Sequence, residues 1–108
     1  MSTHIMRLCD CLELPRADAW AAHVTVERWL RAESEPDSDT SLERLTVGSR
    51  LLDRLETGGR MTREQLSLLV ERCECRLNDE TVPERDRESL TAVIKQAEHT
   101  LEVCSTDA

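Results

Sequence analysis

Residues 58–79 read GGRMTREQLSLLVERCECRLND, and this stretch decides the fold. Gly58-Gly59 reads as a stop, because glycine readily takes the left-handed backbone that ends many helices. Thr62 and Gln65 stand three apart. In that spacing each side chain answers the other residue's backbone N–H, which opens a helix. Behind them Leu66, Leu69, Val70, Cys73 and Leu77 recur at helical steps and share one face. Asn78-Asp79 closes the segment.

The same period appears on both sides. Upstream, Ser41 to Glu56 carries Leu42, Leu45, Leu52 and Leu55 at helical spacing, with Gly48 inside the pattern. A glycine there costs about 1 kcal/mol relative to alanine. Further upstream, Pro15 suits a first helical turn, and a helix is expected from it to about Ala32. Its stripe is Ala19, Ala22, His23, Val26, Trp29 and Leu30, with Trp20 and Val24 on another side. Glu33 to Thr40 reads as a polar, flexible loop. Downstream, a last helix is expected from about Pro83 to Val103, with Leu90, Val93, Ile94, Ala97, Leu101 and Cys104 inward. Four such segments with short links predict a mainly α fold, a compact four-helix bundle-like domain. The expected core is Leu45, Leu52, Leu55, Leu66, Leu69, Val70, Ile94 and Leu101, with Trp20 or Trp29 beside it.

The organisation that follows is a single helical domain over 1–108. It has an extended segment at 1–14, helices over 15–103 and a tail at 104–108. Within the first segment Met6, Leu8, Leu12 and Leu14 would share one strand face. No second strand is evident in the sequence, and one strand cannot satisfy its own backbone groups. Two outcomes stay open: pairing with a second copy in a homodimer, or lying back on the helices as an arm.

Composition narrows the function classes. Fourteen Lys and Arg, of which Lys95 is the lone lysine, stand against 22 Asp and Glu, for a net charge of −8. An acidic, lysine-poor surface holds water and ions and suits concentrated salt. The same charge disfavours a phosphate-backbone partner. Trp20 and Trp29 are the only aromatics, which removes stacking platforms for single strands. No apolar run reaches the ~20 residues of a membrane helix. Arg7, Asp10 and Glu13 break up any signal-peptide core, so a cytoplasmic protein is expected. Its five cysteines then read as reduced thiols.

Two Cys-x-Cys pairs are the sharpest chemical feature. On an extended segment Cys9 and Cys11 point to one side, so they are the pair a metal or redox module would use. Cys73 and Cys75 sit on a helix, where two steps place them on nearly opposite faces. There Cys73, like Cys104, reads as a core residue and Cys75 as a surface thiol. The expectation is therefore no metal and no cofactor. His23, at the edge of its apolar stripe, fits a packed histidine better than a general base. No phosphate loop, dinucleotide fingerprint or nucleophile turn is present, so no catalytic residue is assigned. The acidic pairs Glu71/Glu74 and Glu84/Glu88 are interleaved with arginine, as on a solvated helix face.

Leu14-Pro15-Arg16-Ala17-Asp18-Ala19-Trp20 followed by His23 resembles a family of small uncharacterised haloarchaeal proteins. The likeness continues in Leu51-Leu52-Asp53-Arg54-Leu55-Glu56 before the Gly-Gly turn, and in Pro83-Glu84-Arg85-Asp86-Arg87. It implies a salt-adapted source and carries no catalytic residue across.

The leading expectation is a soluble non-enzymatic helical protein that works through protein–protein contacts in a salt-adapted cytoplasm. The second is a DNA-associated regulator, with Gly58-Gly59 as the turn of a helix-turn-helix. Arg60, Arg63, Arg72 and Arg76 would then contact the duplex, against the repulsion of Glu64, Glu71 and Glu74. The third is the cysteine-based metal or redox module.

Overall fold

The computed structural model describes residues 8–106, without the side chains of Cys11, Ser105 and Thr106. Met6 and the rest of the first seven residues lie outside the described residues. The order of elements is β1 (Leu8–Cys11), α1 (Arg16–Glu33), α2 (Leu42–Thr57), β2 (Arg60–Thr62), α3 (Arg63–Leu77) and α4 (Glu84–Thr106). The mainly α, bundle-like fold expected from the periodicity is the fold observed.

The start and stop signals act as they read. Gly58 and Gly59 take φ values of 80° and 119° at the end of α2. Thr62 caps α3 in a complete capping box: its hydroxyl accepts from the Gln65 N–H at 3.1 Å, and Gln65 Oε1 accepts from the Thr62 N–H at 3.0 Å. Ser41 caps α2, accepting from the Arg44 N–H at 3.2 Å. Pro15 stands at the N-cap of α1 and gives no side-chain bond, and Asp18 places a negative charge in the first turn. α4 runs to Thr106, past Val103 where the pattern was expected to stop.

Two expectations are corrected by the start of the chain. A second strand exists: β2 pairs antiparallel with β1, Leu8 opposite Thr62 and Cys11 opposite Arg60, with an irregularity between. Arg60 adds to the pairing by donating from Nε to the Cys9 carbonyl and from Nη2 to the Leu8 carbonyl, at 3.0 and 2.9 Å. β2 is only three residues long and has no periodicity to read. It exists because the chain must be extended at an N-cap, and Thr62 holds φ −79° and ψ 164°. The segment is therefore not a solitary strand. Leu12 and Leu14 pack against the core, as the arm reading required.

The second correction is chemical. Cys9 and Cys104 form a disulfide across a sequence separation of 95. The bond ties β1 to the end of α4, so these two thiols are not reduced, and Cys9 is no longer available as a metal ligand beside Cys11. Cys73 is buried and Cys75 exposed, both as free thiols, in keeping with the opposite faces read from their spacing.

The core lies among α1, α3 and α4, with α2 laid against α1 and α3. Leu51, Leu66, Leu69, Leu90, Val26 and Val93 are fully enclosed. Of the expected core, Leu66, Leu69 and Ile94 are buried, and Leu52, Leu55, Val70 and Leu101 pack partly against it. Leu45 is half-buried and Leu42 is exposed, because α2 turns its Gly48–Leu51 face inward. Trp29 is the interior tryptophan; Trp20 is 68% exposed. The loop after α1 is held rather than free: the hydroxyls of Ser38 and Thr40 donate to the Glu33 carboxylate and keep its pKa below the usual range. Leu69→Ala should lower stability by about 2–5 kcal/mol, since it empties an enclosed site. An unchanged urea midpoint in that variant would refute the assignment of Leu69 to the core.

Candidate functional site

Along α1 the residues Ala21, Ala22, Thr25, Val26 and Trp29 face the core. That choice of face leaves the flank of the first turns outside, and Trp20 with it. Its indole stacks on His23, ring centroids 5.9 Å apart and planes within 6°. Leu55 and Glu56 at the end of α2 close the other wall, and Arg16, Ala17 and Ala19 complete a groove of about 730 Å³.

His23 ties the two walls together. Its Nε2 lies 2.8 Å from Glu56 Oε1. An ionised carboxylate only accepts, so Nε2 carries the proton and donates. Nδ1 is buried without a hydrogen-bond partner, with the Glu27 carboxylate 3.9 Å away. A histidine oriented by a carboxylate is half of a general-base pair. The other half needs a nucleophile within reach, and among the described residues no Ser, Thr or Cys lines this groove. The arrangement fixes the rotamer of His23 and, through the stack, that of Trp20. The stack leaves an exposed aromatic ring beside Ala17, Ala19 and Leu55. In the sequence, Trp20 and Val24 sat off the main apolar stripe. That was the available signal, though it did not say which tryptophan stays outside.

Of the arginines of the DNA-associated reading, Arg72 and Arg76 line one cleft between α1 and α3, and Arg60 and Arg63 lie elsewhere. Arg60 lies on the small sheet, and Arg63 donates from Nη1 to the Leu101 carbonyl at 3.1 Å. Arg72 donates to Glu71 and lies over the Trp29 ring. Arg76 donates to Thr25 Oγ1 at 2.9 Å and pairs with Asp86 at 3.6 Å. The turn after α2 leads into β2, which stands between α2 and α3.

Among the described residues, no group of three or more His, Cys, Asp or Glu is placed to hold a metal ion. No described helix is long and apolar enough to cross a membrane. Burial pushes the Cys73 thiol up to about 12. A thiol that ionises later in the folded than in the unfolded chain loses stability as pH rises. Above the ordinary thiol range the unfolded form sheds its proton first, and the slope approaches about 1.4 kcal/mol per pH unit until the folded thiol also ionises. Unfolding followed from pH 8 to 11 should show this alkaline decline, and Cys73→Ala should flatten it. An equally steep decline in that variant would assign it to other groups.

The sequence model of a family of unknown function, DUF7853, matches residues 12–98. The match spans all three stretches that carried the resemblance read from the sequence. No curated protein and no solved structure matches the chain.

Proposed function

The chain belongs to DUF7853, a family of unknown function, and from the geometry we propose a non-enzymatic helical interaction module that makes its contact through the Trp20 groove. The observation that carries this reading is the 68% exposed indole of Trp20, held by the His23 stack against an aliphatic wall. An exposed tryptophan forgoes the burial of up to ~250 Å² that the side chain can contribute. Tryptophan and arginine are also the residues that dominate contact energies.

The first partner is a second copy of the chain. Arg16 and Glu56 line the same groove with opposite charges. A two-fold axis would set each against the other in the second copy, and closed two-fold pairing is the commonest assembly. Sedimentation equilibrium in molar salt should give the mass of a dimer. Trp20→Asp should return a monomer, with association weakened by more than about thirtyfold. A wild-type chain that stays monomeric at hundreds of micromolar would end the homodimer reading.

The setting we infer is a salt-adapted cytoplasm. It is supported by the net charge of −8 and the lone lysine. The Cys9–Cys104 bond pulls the other way, since disulfides are rare in most reducing cytosols. Salt screens repulsion among like charges, so the melting temperature should rise between dilute buffer and molar salt. A flat or falling curve would remove the salt-adapted reading.

A further inference from the structure

Arginine is this chain's main cation, and three arginines gather at one place. Arg28 of α1 and Arg72 and Arg76 of α3 line a cleft of about 440 Å³ between the two helices and the 79–83 loop. Among the described residues Asp79 is the one carboxylate in its lining, so three cations stand against one anion there in a protein of net charge −8. Four other clefts are neutral or acidic. In one Arg44 and Arg63 meet Glu64 and Glu71, and in the groove Arg16 meets Glu56. In another Arg87 and Lys95 meet Glu84 and Glu88, and the last holds Asp10 and Glu13.

The cationic cleft is preorganised. Arg76 is fixed from behind by Thr25 Oγ1 and Asp86. Arg72 is fixed by Glu71 and by the Trp29 ring, and its Nη2 donates to Cys75 Sγ at 3.1 Å. Asp79 is already occupied: it accepts from the Thr81 N–H at 2.9 Å and from the Thr81 hydroxyl at 2.7 Å. Arg28 is exposed, and, after the Thr81 hydrogen bonds, its charge helps to hold the Asp79 carboxyl below the usual carboxylate range. Its five N–H donors form a planar fork. Val82 and Pro83 supply an apolar wall opposite.

We propose that this cleft binds a small organic anion, its carboxylate or phosphate oxygens held by Arg28, Arg72 and Arg76 and its apolar body against Val82 and Pro83, beside the Cys75 thiol. Guanidinium forks match both oxyanions bidentately, and fixed donors lose little entropy on binding. The cleft shares no lining residue with the Trp20 groove, so the two proposals stand or fall separately.

The test uses the full chain at fixed ionic strength, with inorganic pyrophosphate and citrate as probes and chloride as the balancing salt. Calorimetry should show saturable binding of at least one probe. Arg28→Glu, an exposed change that should leave the helical circular dichroism intact, should weaken it by about tenfold or more, by removing one charge-assisted contact and adding a repulsion. Bound probe should also slow the reaction of Cys75 with a neutral pyridyl disulfide. In that reaction the thiolate attacks one sulfur and the other leaves as pyridinethione. Cys75→Ser identifies the signal, and Cys73 is buried out of reach. Binding of pyrophosphate alone assigns a phosphate-bearing ligand, of citrate alone a carboxylate, and of both a site that reads charge. No saturable heat with either probe, or binding that neither Arg28→Glu weakens nor Cys75 reactivity reports, would overturn the proposal.

Discussion

Reduction of the Cys9–Cys104 disulfide should destabilise the protein by about 4–5 kcal/mol, the largest loss available from a single bond in this fold. The two residues are 95 apart in sequence, so the bond closes nearly the whole chain into a loop. In the chain-entropy picture, closing a loop of about 100 residues removes about 4.7 kcal/mol of freedom from the unfolded state. A small domain has only about 5–15 kcal/mol in total, so the reduced form should sit near the edge of folding at elevated temperature. The loss has a structural side as well. The bond is the covalent tie between β1 and the end of α4. Without it the strand keeps its pairing to β2 and the packing of Leu12 and Leu14. Denaturant curves with and without a phosphine reductant should separate by a large shift in midpoint. Thiol titration of the denatured protein should find two more thiols after reduction than before. Superimposable curves, or equal thiol counts, would show that the pair is not bonded in solution.

That disulfide marks the limit of what the sequence discloses. The helices were legible because their signals are local: Thr62 with Gln65, Ser41, Gly58 and Gly59, and the apolar stripe from Leu66 to Leu77 all act within a few residues. The pairing of Cys9 with Cys104 is set by the three-dimensional path of the whole chain, and nothing near either residue announces it. The absence of an evident signal peptide argued for reduced thiols, and Cys104 was read as a plain core residue while Cys9 stood on the strand face opposite Leu8 and Leu12. β2 was hidden for a different reason. Three residues carry no period, and Arg60 and Thr62 read as turn and cap, which they also are. The groove was half legible. The off-stripe position of Trp20 was visible, but the partition of the two tryptophans depends on which face α2 covers. Leu42 shares the helical spacing of Leu45, Leu52 and Leu55 without belonging to the expected core. It is exposed because the inward face of α2 is set by Gly48 and Leu51, where Trp29 needs room.

Trp29→Ala should cost about 3–5 kcal/mol, and its effect should change the meaning of a second residue. Trp29 is 9% exposed, and the guanidinium groups of Arg44 and Arg72 lie over its ring, 5.3 and 5.5 Å from the ring centroid. Both arginines also donate to the Glu71 carboxylate. One ring therefore organises contacts from α1, α2 and α3, and its removal leaves two cations without their shared face. Gly48 is what lets the ring in. A Cβ on Gly48 would lie 2.6 Å from Trp29 Cζ3 and 3.0 Å from Leu30 Cδ2. The ring is buried against the core, which leaves it little room to retreat. In the intact protein Gly48→Ala should therefore be destabilising, by about 1–3 kcal/mol of overpacking, although alanine gains about 1 kcal/mol of helix propensity. In a Trp29→Ala background the 2.6 Å clash is gone, the terminal methyl of Leu30 at 3.0 Å can shift into the space left by the ring, and the propensity gain prevails, so the same substitution should stabilise. The sign reversal is a coupling between two contacting residues, and a double-mutant cycle in urea measures it directly. If Gly48→Ala has the same sign in both backgrounds, close approach to Trp29 is not the reason a glycine stands in the middle of α2.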